Sequence, residues 1–65
     1  MWVFYDGTLF NTKDVAYVRY SHSGQLWWVT VVFKNTISPD VRHPYDTEDE
    51  AVIAIQALQK KFNGD

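Results

Sequence analysis

The sequence predicts an α+β fold, a two-layer domain in which a three- to four-stranded antiparallel meander carries one C-terminal helix packed on one face. Two observations predict it. Runs of β-branched and aromatic residues, separated by turn residues, fill the first two thirds of the chain. The last third has a helix-capping sequence followed by an apolar stripe at helical spacing. With 65 residues, the chain is expected to form a single domain, 1–65.

Turn signals divide the first two thirds into strands. The first strand is predicted over 1–10 and contains Asp6-Gly7, so residues beyond this turn either continue the strand or start a second short one. Two further strands are predicted over 15–21 and 26–34. Two prolines in 37–45 restrict any fourth strand there to a short one at the edge of the sheet.

The hairpin between the second and third strands sets the faces of the sheet. With Ser23-Gly24 as its two-residue loop, His22 lies opposite Gln25, and Arg19 lies opposite Trp28 within reach of a cation–π contact. In this register, residues on one face share one character. The core face carries Ala16, Val18, Tyr20, Trp27, Val29, Val31 and Phe33, and the second face carries Val15, Tyr17, Arg19, Trp28, Thr30, Val32 and Lys34.

A C-terminal helix is predicted over 47–63. Residues 47–50 have the form of a capping box, acids fill the first turn, two lysines fill the last, and Gly64 follows as the C′ residue. The stripe that should pack on the Trp27 side of the sheet consists of Ala51, Ala54, Ile55, Leu58 and Phe62. Ile53 lies on the other side of the helix, either as a scattered exposed residue or as a second contact point.

The adjacent pair Trp27-Trp28 points to a functional surface. Neighbouring side chains in a strand project to opposite faces, and one helix covers only one face, so the second indole must meet something else. The predicted partner-binding residues are Tyr17, Arg19, Trp28, Thr30 and Lys34, with Ile53 as the secondary contact candidate.

Three interpretations of this second face are open. The first is a protein interface, because Trp, Tyr and Arg are enriched at binding hot spots. The partner is another protein or a second copy in a homodimer, and in the latter case the chain could be a homo-oligomeric structural protein. The second is a platform for single-stranded nucleic acid, with Lys13 and Arg42 at its flanks. In the third, the aromatics of the first strand (Trp2, Phe4 and Tyr5) and the Pro39–Tyr45 loop cover the face.

Composition excludes several classes of protein. The absence of cysteine rules out disulfides and thiolate metal sites. The net charge of −2 disfavours a general nucleic-acid binder, although residues 1–45 hold four cations against three carboxylates while residues 46–65 are acidic. No signal peptide and no apolar stretch of membrane-spanning length is visible, so a cytoplasmic location is expected, with no membrane partner.

No constellation of catalytic or metal-binding residues stands out in the sequence. His22 and His43 have no recognisable zinc spacing, and the adjacency of Ser21, His22 and Ser23 is not the geometry of a triad. The acids of 46–50 lack a calcium-loop pattern and are explained by the helix dipole. The sequence therefore predicts a chain that is not an enzyme and takes neither cofactor nor metal.

One resemblance covers most of the chain. Asp6-Gly7-Thr8-Leu9-Phe10-Asn11, then Val15, a hairpin, and Tyr45-Asp46-Thr47-Glu48-Asp49-Glu50-Ala51 resemble a recurring type of small bacterial and phage protein with a β-meander and a C-terminal helix. The resemblance implies the fold and a prokaryotic or viral origin, and it transfers no catalytic or binding residue. It fits a phage or mobile-element accessory protein, such as a counter-defence inhibitor whose acidic helix end mimics nucleic-acid charge.

Overall fold

The computed structural model describes residues 1–35 and 38–63, which form five strands, a short 3₁₀ helix and one α-helix. The elements are β1 (Trp2–Tyr5), β2 (Thr8–Asn11), the 3₁₀ helix (Thr12–Asp14), β3 (Val15–Ser23), β4 (Leu26–Phe33), β5 (Val41–Tyr45) and α1 (Glu48–Phe62). The predicted α+β class, with antiparallel strands and one C-terminal helix packed on the sheet, is confirmed. The strands divide between two sheets, a β1-β2 hairpin and a three-stranded sheet in the order β3-β4-β5.

The predicted first strand is a hairpin. Val3 pairs with Phe10 and Tyr5 pairs with Thr8, so Asp6-Gly7 is a two-residue turn and the second short strand forms. Both turn residues have positive φ, 52° for Asp6 and 74° for Gly7, as a type I′ turn requires. That turn suits the right-handed twist of the two strands that it joins.

Replacing Gly7 with alanine is expected to lower the free energy of unfolding by about 1–2 kcal/mol, the cost of a left-handed backbone conformation for a residue with a Cβ. The added Cβ would meet no atom within 4 Å, so the cost arises from the backbone alone. Urea denaturation measures it, with Gln25→Ala as the control because Gln25 lies in a hairpin loop outside the left-handed region. An unchanged midpoint for Gly7→Ala would contradict the turn assignment.

The β3-β4 hairpin differs from the predicted register by two residues. Its loop is Gly24-Gln25, because Ser23 pairs with Leu26, and Arg19 consequently pairs with Thr30. Gly24 has a φ of 64° at the first loop position, the pattern of a type II′ turn. A shift of two residues leaves each side chain on its predicted face but changes its cross-strand partner, so the predicted pairing of Arg19 with Trp28 is wrong.

A β-bulge at the start of β3 alters two predicted positions. Val15 pairs with Phe33 and Tyr17 pairs with Val32, which leaves Ala16 as an extra residue. Val15 therefore packs against the core while Ala16 is exposed, so the predicted faces of these two residues are wrong. Strict alternation of faces fails at a bulge.

The chain segment after β4 forms the predicted edge strand. Val41–Tyr45 pairs antiparallel with β4, with Val31 opposite Val41 and Trp27 opposite Tyr45. The predicted range 37–45 begins at Ile37, which lies outside the described residues. Because β5 is part of the sheet, it does not fold over the second face as the third interpretation supposed.

Helix α1 begins as the sequence predicts. The Thr47 hydroxyl oxygen accepts a hydrogen bond from the backbone N–H of Glu50 at 3.2 Å, and the same hydroxyl donates to the Glu50 carboxylate at 3.1 Å. Asn63 follows the last helical residue, and the predicted C′ residue Gly64 lies outside the described residues. The predicted stripe packs inward, with Ala51 and Leu58 fully buried.

The hairpin and the helix lie on the same side of the three-stranded sheet. The centroid of the Phe10 ring lies 5.3 Å from that of Phe33 and 6.5 Å from that of Phe62. The Tyr5 and Tyr45 hydroxyl oxygens lie 2.8 Å apart. The core between these layers consists of Val3, Phe10, Val29, Val31, Val41, Ala51 and Leu58. All of these contacts lie on one side of the sheet, and none of them places a described element on the opposite face.

Candidate functional site

The face of the three-stranded sheet that points away from α1 and the hairpin is the candidate site. We call it the open face. By the strand register it carries Tyr17, Arg19, Ser21, Ser23, Leu26, Trp28, Thr30, Val32, Arg42 and Pro44. The aromatics of β1 do not cover it. The Tyr5 hydroxyl is hydrogen-bonded to that of Tyr45 on the helix side, while Trp2 and Phe4 are exposed. The third interpretation of this face, as a covered surface, is therefore wrong.

A stacked pair, Trp28 and Arg42, forms the centre of the open face. The guanidinium carbon of Arg42 lies 4.6 Å from the centre of the Trp28 ring, within the range of a cation–π interaction. The two residues sit diagonally on adjacent strands, since Trp28 pairs with Pro44 and Arg42 pairs with Thr30. Trp28 is half-buried and Arg42 is exposed. The cation on Trp28 is thus Arg42, which the sequence placed only at the flank, rather than Arg19.

Thr30 does not belong to the accessible site. Only 2% of this residue is exposed. It occupies the middle of the central strand, with Arg19 opposite it on one side and Arg42 on the other. Long arginine side chains cover a small residue between them readily, because their methylene stems lie along the sheet. A partner would meet the arginines and not the threonine, so this predicted contact residue is corrected.

Tyr17 and Arg19 lie on β3 as exposed members of the open face. Tyr17 is 54% exposed and Arg19 follows it two residues along the same strand. Lys34 is exposed but lies past the end of β4, where its backbone N–H donates to the carbonyl of Asp14 at 2.8 Å. The structure therefore places Tyr17, Arg19 and Trp28 on one surface with Arg42. Lys34 lies beyond the end of β4, the central strand of the sheet.

The secondary contact candidate Ile53 is exposed on a different surface. It is 64% exposed on α1, and the helix lies on the side of the sheet opposite the open face. A single flat partner cannot touch both places at once. If Ile53 makes a contact, it belongs to a second interface.

Sequence reasoning missed a third exposed apolar surface, which we call the outer hairpin patch. It consists of Trp2, Phe4 and Leu9, all of them exposed. Phe4 pairs with Leu9 across the hairpin, so both side chains point to the same side. The signal was present in the Asp6-Gly7 turn, since a hairpin centred on it sets Phe4 against Leu9.

Polar groups on the helix side of the sheet fasten the hairpin to β5. His43 Nδ1 lies 2.8 Å from Asp6 Oδ1, and burial together with the hydrogen bond to Tyr45 raises the pKa of the Tyr5 hydroxyl above its ordinary value. His22 instead stacks on the Trp27 ring at a centroid distance of 4.3 Å. Both histidines thus make structural contacts.

The part of the chain that the structure describes contains neither a cluster of metal ligands nor a membrane-spanning helix. No group of three or more metal-ligating side chains is placed to hold an ion there. None of its helices is long and apolar enough to cross a membrane.

Comparison with known proteins adds no relative. No family model, curated protein or solved structure matches the chain. The resemblance to small bacterial and phage proteins therefore stays a prediction.

Proposed function

We propose that this chain is a small non-enzymatic protein-interaction module that binds its partner through the open face. The observation that carries the proposal is the Trp28–Arg42 pair on the face of the sheet that points away from the packed helix and hairpin. Trp and Arg are among the residues most enriched at binding hot spots. A tryptophan already held by its neighbour also loses little conformational freedom on binding, which favours affinity.

The charge of the open face defines the kind of protein that fits it. Arg19 on β3 and Arg42 on β5 lie on either side of the buried Thr30 of β4, and both arginines are exposed. A partner with carboxylates placed around an apolar centre would match this arrangement, because complementary charges steer association and fix the register of docking. Tyr17 extends the surface along β3 with an aromatic ring and a hydroxyl.

A platform for single-stranded nucleic acid is the second candidate function. The two arginines beside Trp28 and Tyr17 favour it, because exposed aromatics next to cations are where bases stack. However, Arg42 already occupies one side of the Trp28 ring, and the chain carries a net charge of −2. We therefore favour a protein partner.

Three alanine variants separate the exposed surfaces. Trp28→Ala removes the centre of the open face, Leu9→Ala tests the outer hairpin patch, and Ile53→Ala tests the helix. Wild type and each variant are immobilised and exposed to a lysate of the organism that carries the gene. The captured partner is then purified, and its affinity for each form of the chain is measured by calorimetry. Trp28→Ala is expected to weaken binding about thirtyfold, the effect of a hot spot of about 2 kcal/mol, while the other two bind as wild type.

Two results would contradict the proposal. One is a partner that binds Trp28→Ala as tightly as wild type but loses affinity for Leu9→Ala or Ile53→Ala. The other is a low-salt titration in which labelled single-stranded DNA or RNA binds wild type and is lost with Trp28→Ala, which would establish the nucleic-acid platform instead. Circular dichroism of Trp28→Ala distinguishes loss of binding from loss of fold.

The proposed biological setting is the bacterial cytoplasm, with the chain acting as a phage or mobile-element accessory protein that inhibits a host complex. The resemblance of its Asp6–Asn11 and Tyr45–Ala51 segments to small bacterial and phage proteins supports this setting. The open face supplies the means of inhibition, since a docked module blocks whatever surface it covers.

A further inference from the structure

Strand β3 has an unprotected edge. It runs from Val15 to Ser23, and within the described residues it pairs only with β4. It contains no proline, and Arg19 is its only charged residue. Long exposed edges of this kind are templates for pairing with another strand, which is why proteins normally shorten, charge or interrupt them.

The hairpin geometry identifies which backbone groups of β3 are free. Ser23 and Leu26 close a two-residue loop and therefore form a hydrogen-bonded pair. Hydrogen-bonded pairs recur at every second residue, so Ser21 and Arg19 also bond to β4. The N–H and C=O groups of the intervening residues, Val18, Tyr20 and His22, point away from the sheet.

The opposite edge of the same sheet is blocked. On β5, the residues that alternate with the pairs bonded to β4 are Arg42 and Pro44, so their backbone groups face outwards. Pro44 has no N–H to donate, and proline occurs in sheets mainly at such outward-facing edge positions. The sheet thus has one closed edge and one open edge.

We propose that two copies of this chain associate through their β3 edges, antiparallel, about a two-fold axis that passes through Tyr20. Val18 of one copy then lies opposite His22 of the other, and Tyr20 lies opposite its own counterpart. The outward N–H and C=O groups of all three residues are paired in this register. The two three-stranded sheets become one continuous sheet, with both helices on one side and both open faces on the other.

Side-chain size and the avoidance of like charges select this register. Arg19 of one copy meets Ser21 of the other, and Tyr17 meets Ser23, so each large side chain lies opposite a small hydroxyl. An axis through Arg19 would place two arginines directly opposite one another, which is destabilising. An axis through Ser21 would shorten the overlap from residues 17–23 to residues 19–23.

A groove beside β3 offers room for the second copy. It has a volume of about 510 Å³ between β3 and α1, and its lining combines the apolar Val18, Ile55 and Phe62 with the polar Lys13 and Gln59. In the proposed register, His22 of the other copy lies opposite Val18 on the helix side, stacked on its own Trp27. The two stacked rings would therefore enter the groove beside its apolar residues, which adds buried surface to the backbone hydrogen bonds.

Cysteine substitution tests the register directly, because the chain has no cysteine of its own. In Tyr20→Cys, the two Cα atoms across the axis would be about 5.5 Å apart, within the range that a disulfide bridges. Mild oxidation is expected to give a covalent dimer on a non-reducing gel. Val18→Cys is the matched control, since its two copies would be about 13 Å apart along the strands and stay unlinked.

Sedimentation of the wild-type chain over a range of concentrations completes the test. A reversible monomer–dimer equilibrium, together with selective cross-linking of Tyr20→Cys, is the expected result. If Tyr20→Cys fails to fold, an oxidised mixture of Val18→Cys and His22→Cys should give a mixed disulfide dimer. The proposal is overturned by a wild-type chain that stays monomeric at millimolar concentration, or by equal cross-linking of Tyr20→Cys and Val18→Cys. Neither result bears on the open face, because Trp28 lies on β4.

Discussion

Replacing Phe10 with alanine is expected to lower the free energy of unfolding by about 3–5 kcal/mol, the usual cost of removing a buried phenylalanine. Phe10 is only 6% exposed. Its ring meets Phe33 of β4 and Phe62 of α1 edge-to-face, with interplanar angles of 76° and 66°. The side chain therefore joins the hairpin, the sheet and the helix. A small domain has about 5 kcal/mol of stability or little more, so the variant should keep at most about 2 kcal/mol and unfold at a much lower urea concentration than wild type.

Phe4→Ala is the matched control for this experiment. Phe4 belongs to the same hairpin, but its side chain is 66% exposed on the outer side. Its replacement is expected to change stability by no more than about 0.5 kcal/mol, as for most surface substitutions. Urea denaturation followed by circular dichroism measures both variants. Similar midpoints for the two would mean that the hairpin does not fold as part of the core.

The second large effect is a loss of stability at alkaline pH. The Tyr5 and Tyr45 hydroxyls lie 2.8 Å apart, and burial of Tyr5 together with this hydrogen bond raises the pKa of Tyr5. In the unfolded chain, a tyrosine ionises near pH 10. The folded state keeps the proton to higher pH, so the stabilisation is complete below about pH 10 and is lost as the pH rises above it. The expected slope is at most about 1.4 kcal/mol per pH unit.

Urea midpoints measured from below to above about pH 10 show this slope. Tyr5→Phe removes the ionising group and should flatten the profile, at some cost in stability at neutral pH. Tyr17→Phe is the control, since Tyr17 is exposed on the open face and its loss should leave the profile unchanged. An equal slope in wild type and Tyr5→Phe would show that another group governs the alkaline transition.

The features that the sequence predicted well are those set by local periodicity. The Thr47–Glu50 cap and the buried Ala51 and Leu58 follow from residues that are neighbours on the helix itself. The faces of β4, and of β3 beyond its bulge, were also predicted, even though the register was wrong, because a shift of two residues preserves the side of the sheet. Tyr17, Arg19 and Trp28 therefore lie on the predicted surface.

The features that the sequence missed depend on contacts between distant segments. Ser23-Gly24 and Gly24-Gln25 are both acceptable hairpin loops, and packing of the whole sheet decides between them. The position of Arg42 over Trp28 and the burial of Thr30 follow from the pairing of β5 with β4, which a segment with two prolines did not specify. The placement of the β1-β2 hairpin beside the helix likewise needs Phe10 and Tyr5 to meet partners far along the chain.

The proline in β5 limits how far self-assembly can proceed. Growth of a fibre by strand pairing needs two unpaired strand edges on every subunit. One edge joins the subunit to the fibre, and the other accepts the next subunit. Pro44 has no backbone N–H, so the outer edge of β5 lacks a hydrogen-bond donor. A chain that pairs through β3 therefore has no second open edge to which a further copy could add. Assembly through this sheet should stop at a pair, and concentrated solutions should stay free of amyloid-like fibres.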